Sequence, residues 1–359
     1  MRIPEENLPN LANHQFKSSE YSLLDLFLNK FIWEPFASVF PSWLAPNLVT
    51  VVGLVFMMAS YLIMLPFDET FRVPVPAELL FAAAFCQFMF QTLDACDGKH
   101  ARRLGQASPL GMLMDQGCDS ISCTFIILSI VQAMNLGINQ ESLFLFVTVY
   151  TVFYLTHWEE YHTHYLRTNM LNWGATEGQW TNILLLIITG LYSPSLWQVK
   201  YYDYSLSTLL IYSHCAWGIL TSVFILANTL TKSPGLLPIF RLLPILTQNI
   251  SLYYWFRTDL INSFAPAILI THGLIYAEIC SKLIISSSAQ MSFRWFHLNA
   301  FIELALVLEL TYIKTLPPVT SLFIFVLITV SRYSSFVCSI VLQLANYLNI
   351  PVFKVKTTN

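Results

Sequence analysis

The sequence predicts an all-α polytopic membrane protein: about ten transmembrane helices preceded by an amphipathic helix in the membrane interface. Three observations carry that expectation. The 359 residues are 55% hydrophobic and only 11% charged, against about 25% charged residues in an average soluble domain. Aromatic residues reach 15%, more than a soluble core of this length needs. Apolar stretches also recur at the length of ~20 residues that crosses a bilayer.

The spans read near 47–66, 77–94, 110–136, 141–163, 178–198, 206–230, 236–256, 263–286, 296–313 and 319–346. The weakest is 236–256, where Pro238, Arg241 and Pro244 suit a broken helix or one facing a cavity. Before the first span, 21–44 reads YSLLDLFLNKFIWEPFASVFPSWL, with Leu24, Phe27, Leu28 and Phe31 at helical spacing. Asp25, Lys30, Glu34 and Pro35 interrupt it. It reads either as a helix lying in the interface or as one packed against the bundle. Two units are expected: residues 1–46, with the interfacial helix, and a transmembrane domain over 47–359. "APNLVT" opens the first span with Pro46 near a helix start.

Charge places the loops. With the N-terminus inside, twelve of the eighteen Lys and Arg fall on the inner side, from Arg2 and Lys17 to Lys354 and Lys356. Only Arg72, Lys200, Arg257 and Lys314 fall outside. The positive-inside rule therefore puts 98–109 on the cytosolic side. A net charge of −3 without a basic tail gives no reason to expect nucleic acid as a partner. The seven Cys are scattered without metal-site spacing and read as packing residues. The N-terminal MRIPEENLPN has no apolar run, so no cleaved signal peptide is expected there.

Against this background, residues 94–120 read DACDGKHARRLGQASPLGMLMDQGCDS. An Asp at a helix centre costs roughly 2.5–3.5 kcal/mol on insertion, and intramembrane acids usually mark a functional site. Asp94 and Asp97 are spaced i,i+3 at the end of one span, and Asp115 and Asp119 i,i+4 in the next. Each pair shares one helix face, and consecutive antiparallel helices let the faces meet. Hard oxygen donors suit two Mg²⁺ or Mn²⁺ ions able to bridge phosphate oxygens. Gly98 lets backbone approach a ligand, Arg102 offers a guanidinium fork to phosphate, and Gly111 permits close helix approach. The plainer alternative is a salt-bridge network of the acids with Lys99, Arg102 and Arg103.

The spacing D-x2-D-G-x2-A-R-x8-G-x3-D-x3-D runs here through Asp94, Asp97, Gly98, Ala101, Arg102, Gly111, Asp115 and Asp119. It resembles the signature of the CDP-alcohol phosphotransferase family. The blocks FPSWLAPNLVTVVG (40–53), DGKHARR and SPLG…DQGCDS resemble its eukaryotic choline/ethanolamine phosphotransferase branch. HWEEY (157–161) followed by NWG (172–174) looks closer to the ethanolamine-specific members. The likeness spans most of the chain and weakens after about residue 180.

The resemblance implies transfer of phosphoethanolamine or phosphocholine from CDP-ethanolamine or CDP-choline to diacylglycerol, releasing CMP. It implies that Asp94 and Asp115 bridge the two metals, with Asp97 completing the first site and Asp119 the second. Asn47 and Arg102 would contact the CDP-alcohol, with Gly98 under its phosphates. It also implies the endoplasmic reticulum or Golgi, with the mitochondrial inner membrane as the alternative, and possible homodimers.

The sequence departs from the branch at two points. Its His, which looks like the general base, is Gln116 here, and its supporting Glu is Met112. Glutamine takes no proton near neutral pH, so general-base help of ~10²–10⁴-fold is at stake. Either another group such as Asp119 serves as base, or the chain is a non-catalytic subunit of a membrane complex; the intact aspartates favour activity. Glu159 and Glu160 are head-group candidates, able to accept from an ethanolamine ammonium. His214, His272 and His297 read as hydrogen-bonded packing residues, and Glu278, Glu303 and Glu309 have no assigned role.

Overall fold

The computed structural model describes residues 2–14, 17–67 and 69–355; Lys356 lies outside them. The fold is mostly helical. Short helices α1 (Leu8–Ala12), α2 (Leu23–Leu28) and α3 (Glu34–Ser38) precede α4 (Pro46–Leu62), α5 (Ala77–Arg103), α6 (Pro109–Ala133) and α7 (Gln140–Thr163). Then follow α8 (Ala175–Tyr192), α9 (Leu206–Lys232), α10 (Leu236–Phe240), α11 (Leu243–Trp255), α12 (Ile261–Ser288), α13 (Leu298–Leu308) and α14 (Pro318–Leu348). Two minimal antiparallel ladders pair 169–170 with 173–174 and 200–201 with 204–205.

Among the described residues, seven helical segments are long and apolar enough to cross a membrane. The chain is accordingly read as an integral membrane protein. The expected count of ten is not reached on that criterion. Helices do form at 140–163, 175–192 and 298–308. The first two carry polar side chains such as Glu141, His157, Glu159, Glu160, Glu177 and Asn182. The third is only 11 residues long before a π-helical turn at Glu309–Ile313.

Helix α12 is central, with 78% of its most apolar window buried, against 22% for α9 and 28% for α14. It packs on α6, α7, α11 and α14, while α6 also meets α4 and α8. The two outer helices therefore leave most of their apolar surface to the bilayer. Pro266 lies inside α12, and the chain bends at Phe264 (φ −134°, ψ 26°), as a missing backbone donor requires.

The segment 236–256 is broken, as its prolines suggest. The break falls at Arg241–Leu242, between α10 and α11. The Tyr154 hydroxyl donates to the Arg241 carbonyl at 2.6 Å, and the Trp158 indole to the Pro238 carbonyl at 3.1 Å. A break is tolerable at membrane depth when neighbouring groups satisfy its backbone in this way.

Residues 23–38 form a continuous helical run through a π-helical turn at Asn29–Trp33. Ser22 and Asp25 build a capping box at its start. Leu28, Trp33 and Ala37 are buried against Cys96 of α5. Leu23, Phe27 and Phe31 on the outer side are exposed. Packing against the bundle thus describes one face of this segment.

Other acids in the bundle draw hydrogen-bond donors from the chain itself. Glu303 on α13 is inaccessible and accepts from Gln248 (2.7 Å), Trp255 (3.0 Å) and His272 (2.8 Å), tying α11 and α12 to α13. Glu278 pairs with Lys282 and Asn299, each at 2.5 Å. Glu309 Oε1 accepts from Thr315 and Leu316 at 2.7–2.9 Å, while its Oε2 has no hydrogen-bond partner among the described residues. Removing one member of such a buried network strands its partners, at about 3–5 kcal/mol. Glu303→Ala is therefore expected to lower stability by about 3 kcal/mol, read as a lower unfolding midpoint in detergent micelles.

Candidate metal and nucleotide site

The chain turns sharply between the two aspartate-bearing helices. At the end of α5, Gly105 takes φ +65°, the Gly105 N–H returns to the Arg102 carbonyl (3.1 Å) and the Gln106 N–H to the Ala101 carbonyl (2.8 Å). This is a Schellman closure, which favours glycine at the left-handed position. Three residues on, Ser108 caps α6 by accepting from the Gly111 N–H at 3.2 Å, with Pro109 at its first position. Two helix faces bearing aspartates are thereby folded onto each other.

Carboxylate oxygens of Asp94, Asp115 and Asp119 lie within 4.8 Å of one another. Among the described residues, none of the four aspartates forms an ion pair with Lys or Arg within 4.0 Å. The basic residues between them do not pair with the trio. Lys99 sits over the Tyr21 and Trp33 rings, at 5.9 and 5.8 Å from their centroids. Arg103 donates to the carbonyls of Ser38 and Phe40. Arg102 is exposed and folds back beside Gly98, where a Cβ would lie 3.5 Å from its Nη1. A salt-bridge network is not what holds these acids.

Asp97 stands apart from the trio. Its Oδ2 accepts from the Thr50 hydroxyl of α4. Thr50 was not singled out in the sequence; its signal is the i,i+3 spacing to Asn47 on the same helix face. Asn47 lies in the first turn of α4, its Oδ1 3.3 Å from where a Cβ on Gly111 would sit. Glycine at 111 thus leaves room for the Asn47 amide. Gln116 is buried on α6, one residue from Gly117, whose side faces Ser281 of α12.

The donor set fits divalent cations. Among the described residues, three hard carboxylates converge without a Lys or Arg partner, and Asp115 Oδ1 is buried with no hydrogen-bond partner. Buried polar atoms are ordinarily satisfied. Mg²⁺ or Mn²⁺ takes such oxygens.

The two head-group candidates differ. Glu159 is inaccessible and saturated: Arg167 Nε and Nη2 each donate to it at 2.9 Å, and Asn228 donates as well. Glu160 has His157 Nδ1 at 3.2 Å and no Lys or Arg ion pair among the described residues. His14 lies near it: burial holds that imidazole below its ordinary value, while Glu160 pulls it up and His164 pushes it down. His272 is bonded to Glu303 and His297 to the Arg294 carbonyl, as packing histidines should be.

Known proteins can be set beside this geometry. A family model described as CDP-alcohol phosphatidyltransferase matches residues 43–233, which include all four aspartates. The chain belongs to this family. Cholinephosphotransferase 1 of Saccharomyces cerevisiae is 37% identical over 204 residues, covering 56% of this chain and 52% of the relative. Choline/ethanolaminephosphotransferase 1 of the same yeast is 34% identical over 56% of this chain and 51% of its own length. Ethanolaminephosphotransferase 1 of Mus musculus is 27% identical over 85% of this chain and 83% of its own. The chain spans about half the length of the first two relatives.

A metal site makes a prediction independent of activity. A ligand present at 100 times its Kd stabilises the native state by about 2.7 kcal/mol. Mn²⁺ is expected to raise the unfolding midpoint of the wild type, and Asp115→Asn to abolish that rise. Without metal, Asp115→Asn should be the more stable protein, because it removes one of three crowded like charges.

Proposed function

We propose that this chain transfers phosphoethanolamine from CDP-ethanolamine to diacylglycerol and releases CMP, with CDP-choline as the second donor. The observation that carries the proposal is the convergence of Asp94, Asp115 and Asp119 with no Lys or Arg among the described residues paired to them. The family membership of residues 43–233 supports it, as do relatives named for choline and ethanolamine phosphotransfer.

In this reading Asp94, Asp97, Asp115 and Asp119 would hold two Mg²⁺ or Mn²⁺ ions. Thr50 orients Asp97 through its hydroxyl. Ions held there would supply positive charge to offset the diphosphate and favour CMP as leaving group. Asn47 and Arg102 contact the nucleotide and its phosphates, and Gly98 and Gly111 leave room for them. A bond forms between the acceptor oxygen of diacylglycerol and the β-phosphorus as the bond from that phosphorus to CMP breaks. The acceptor proton must pass to a base, and Gln116 is none; Asp119 is the carboxylate assigned to take it. The acceptor reaches the site from the lipid side and the nucleotide from the cytosolic side. The exposed Leu23, Phe27 and Phe31 would lie in the interface nearby. The proposed compartment is the endoplasmic reticulum or Golgi.

Glu160 is the better candidate than Glu159 for the ammonium, because Arg167 and Asn228 already saturate Glu159.

Purified protein given Mn²⁺, CDP-ethanolamine and diacylglycerol should release CMP, and chelation or Asp115→Ala should remove at least 99% of that release, roughly the 10²-fold effect of losing one key electrostatic group. Release no greater than that of Asp115→Ala would sink the proposal. Gln116→His should raise kcat by roughly 10-fold or more if base catalysis limits turnover. An unchanged kcat would show that the base is already supplied elsewhere.

A further inference from the structure

The C-terminal segment reaches the same site. After α14, Asn349 takes a left-handed conformation (φ 51°) and the Ile350 N–H returns to the Ala345 carbonyl at 3.1 Å. The chain is turned off the helix axis there, and Pro351 follows. Ile350 and Val352 then pack against the apolar cluster that contains Leu110, Ile285 and Leu344, beside Leu113 and Met114. Leu110, Leu113 and Met114 belong to the turns of α6 that lead into Asp115. The far end of α14 is itself clamped: Gln343 accepts from the Ile3 N–H at 2.9 Å and donates to the Ile3 carbonyl at 2.6 Å.

Across this strap, Asn47 Nδ2 donates to the Val352 carbonyl at 2.9 Å. A carbonyl only accepts, so the contact fixes which end of the amide faces the strap. Asn47 Oδ1 is then held on the Gly111 side. We infer that residues 350–355 form part of the nucleotide site, and that the Val352 carbonyl positions the Asn47 amide so that its oxygen accepts from an N–H or O–H of the nucleoside. Without the strap, the amide rotates freely and presents a donor as readily as an acceptor. Binding then bears the cost of ordering it. Val352 acts through Asn47 and is a positioning residue.

The inference rests on the CDP-alcohol reading, and direct binding of CDP-ethanolamine with Mg²⁺ separates the two. Two variants unseat the strap: a chain ended after Asn349, and Ile350→Asp, which keeps the full length. Each should raise Kd and KM for CDP-ethanolamine about 10-fold, equivalent to ~1.4 kcal/mol, with kcat and the diacylglycerol KM within about twofold. If the shortened chain does not fold, Ile350→Asp decides. In an Asn47→Ala background, unseating the strap should add nothing further to Kd. An unchanged Kd overturns the inference, and so does a lower one, which would make the strap an obstruction. Loss of kcat at constant KM, or effects that add independently of Asn47→Ala, would mean a purely structural role and overturn it as well. A full-length chain that binds no nucleotide overturns the underlying reading and this inference together.

Discussion

Asp94, Asp115 and Asp119 bring carboxylates within 4.8 Å of one another inside an apolar bundle, and the surrounding architecture serves to keep them there. Like charges at that distance repel strongly where water is scarce. An arrangement of this kind persists only if the scaffold over-determines it. Here the restraint is local. The Schellman closure at Gly105 and the Ser108 cap fix the turn between α5 and α6. The packing of α4 and α12 on α6 fixes the faces.

The contrast with the other buried acids makes the site specific. Glu303, Glu278 and Glu159 are each supplied with donors by the chain itself. Their role is to hold helices together in a medium that offers no water. Among the described residues the aspartate trio has no Lys or Arg paired to it; Lys99 sits over aromatic rings and Arg103 is engaged with carbonyls. Cations from outside the chain are the natural complement. The same absence of basic partners makes the trio costly to a protein that has no ligand for it.

The convergence of the aspartates was legible because its information is local. The i,i+3 and i,i+4 spacings put each aspartate pair on one face, and a short loop between antiparallel helices lets the two faces meet. The break at Arg241 was legible for a similar reason, since proline removes a backbone donor wherever it occurs. Other features were not. A search for charge could not find Thr50, because its hydroxyl matters only once α4 lies against α5. Nor could spacing separate Glu159 from Glu160, since both sit at the same helix end. Arg167 and Asn228, supplied by the loop after α7 and by α9, engage Glu159 and not Glu160.

By itself the sequence determined the all-helical membrane class, the placement of the aspartates on two successive helices, and the family resemblance. These follow from hydrophobic run length and from periodicity, which are properties of neighbouring residues. The tertiary structure decided that the acids meet with no described Lys or Arg paired to them, and that Val352 reaches Asn47. Those outcomes depend on contacts between residues far apart in the chain. The physical reason is that burial and hydrogen-bond pairing are settled only when the helices pack.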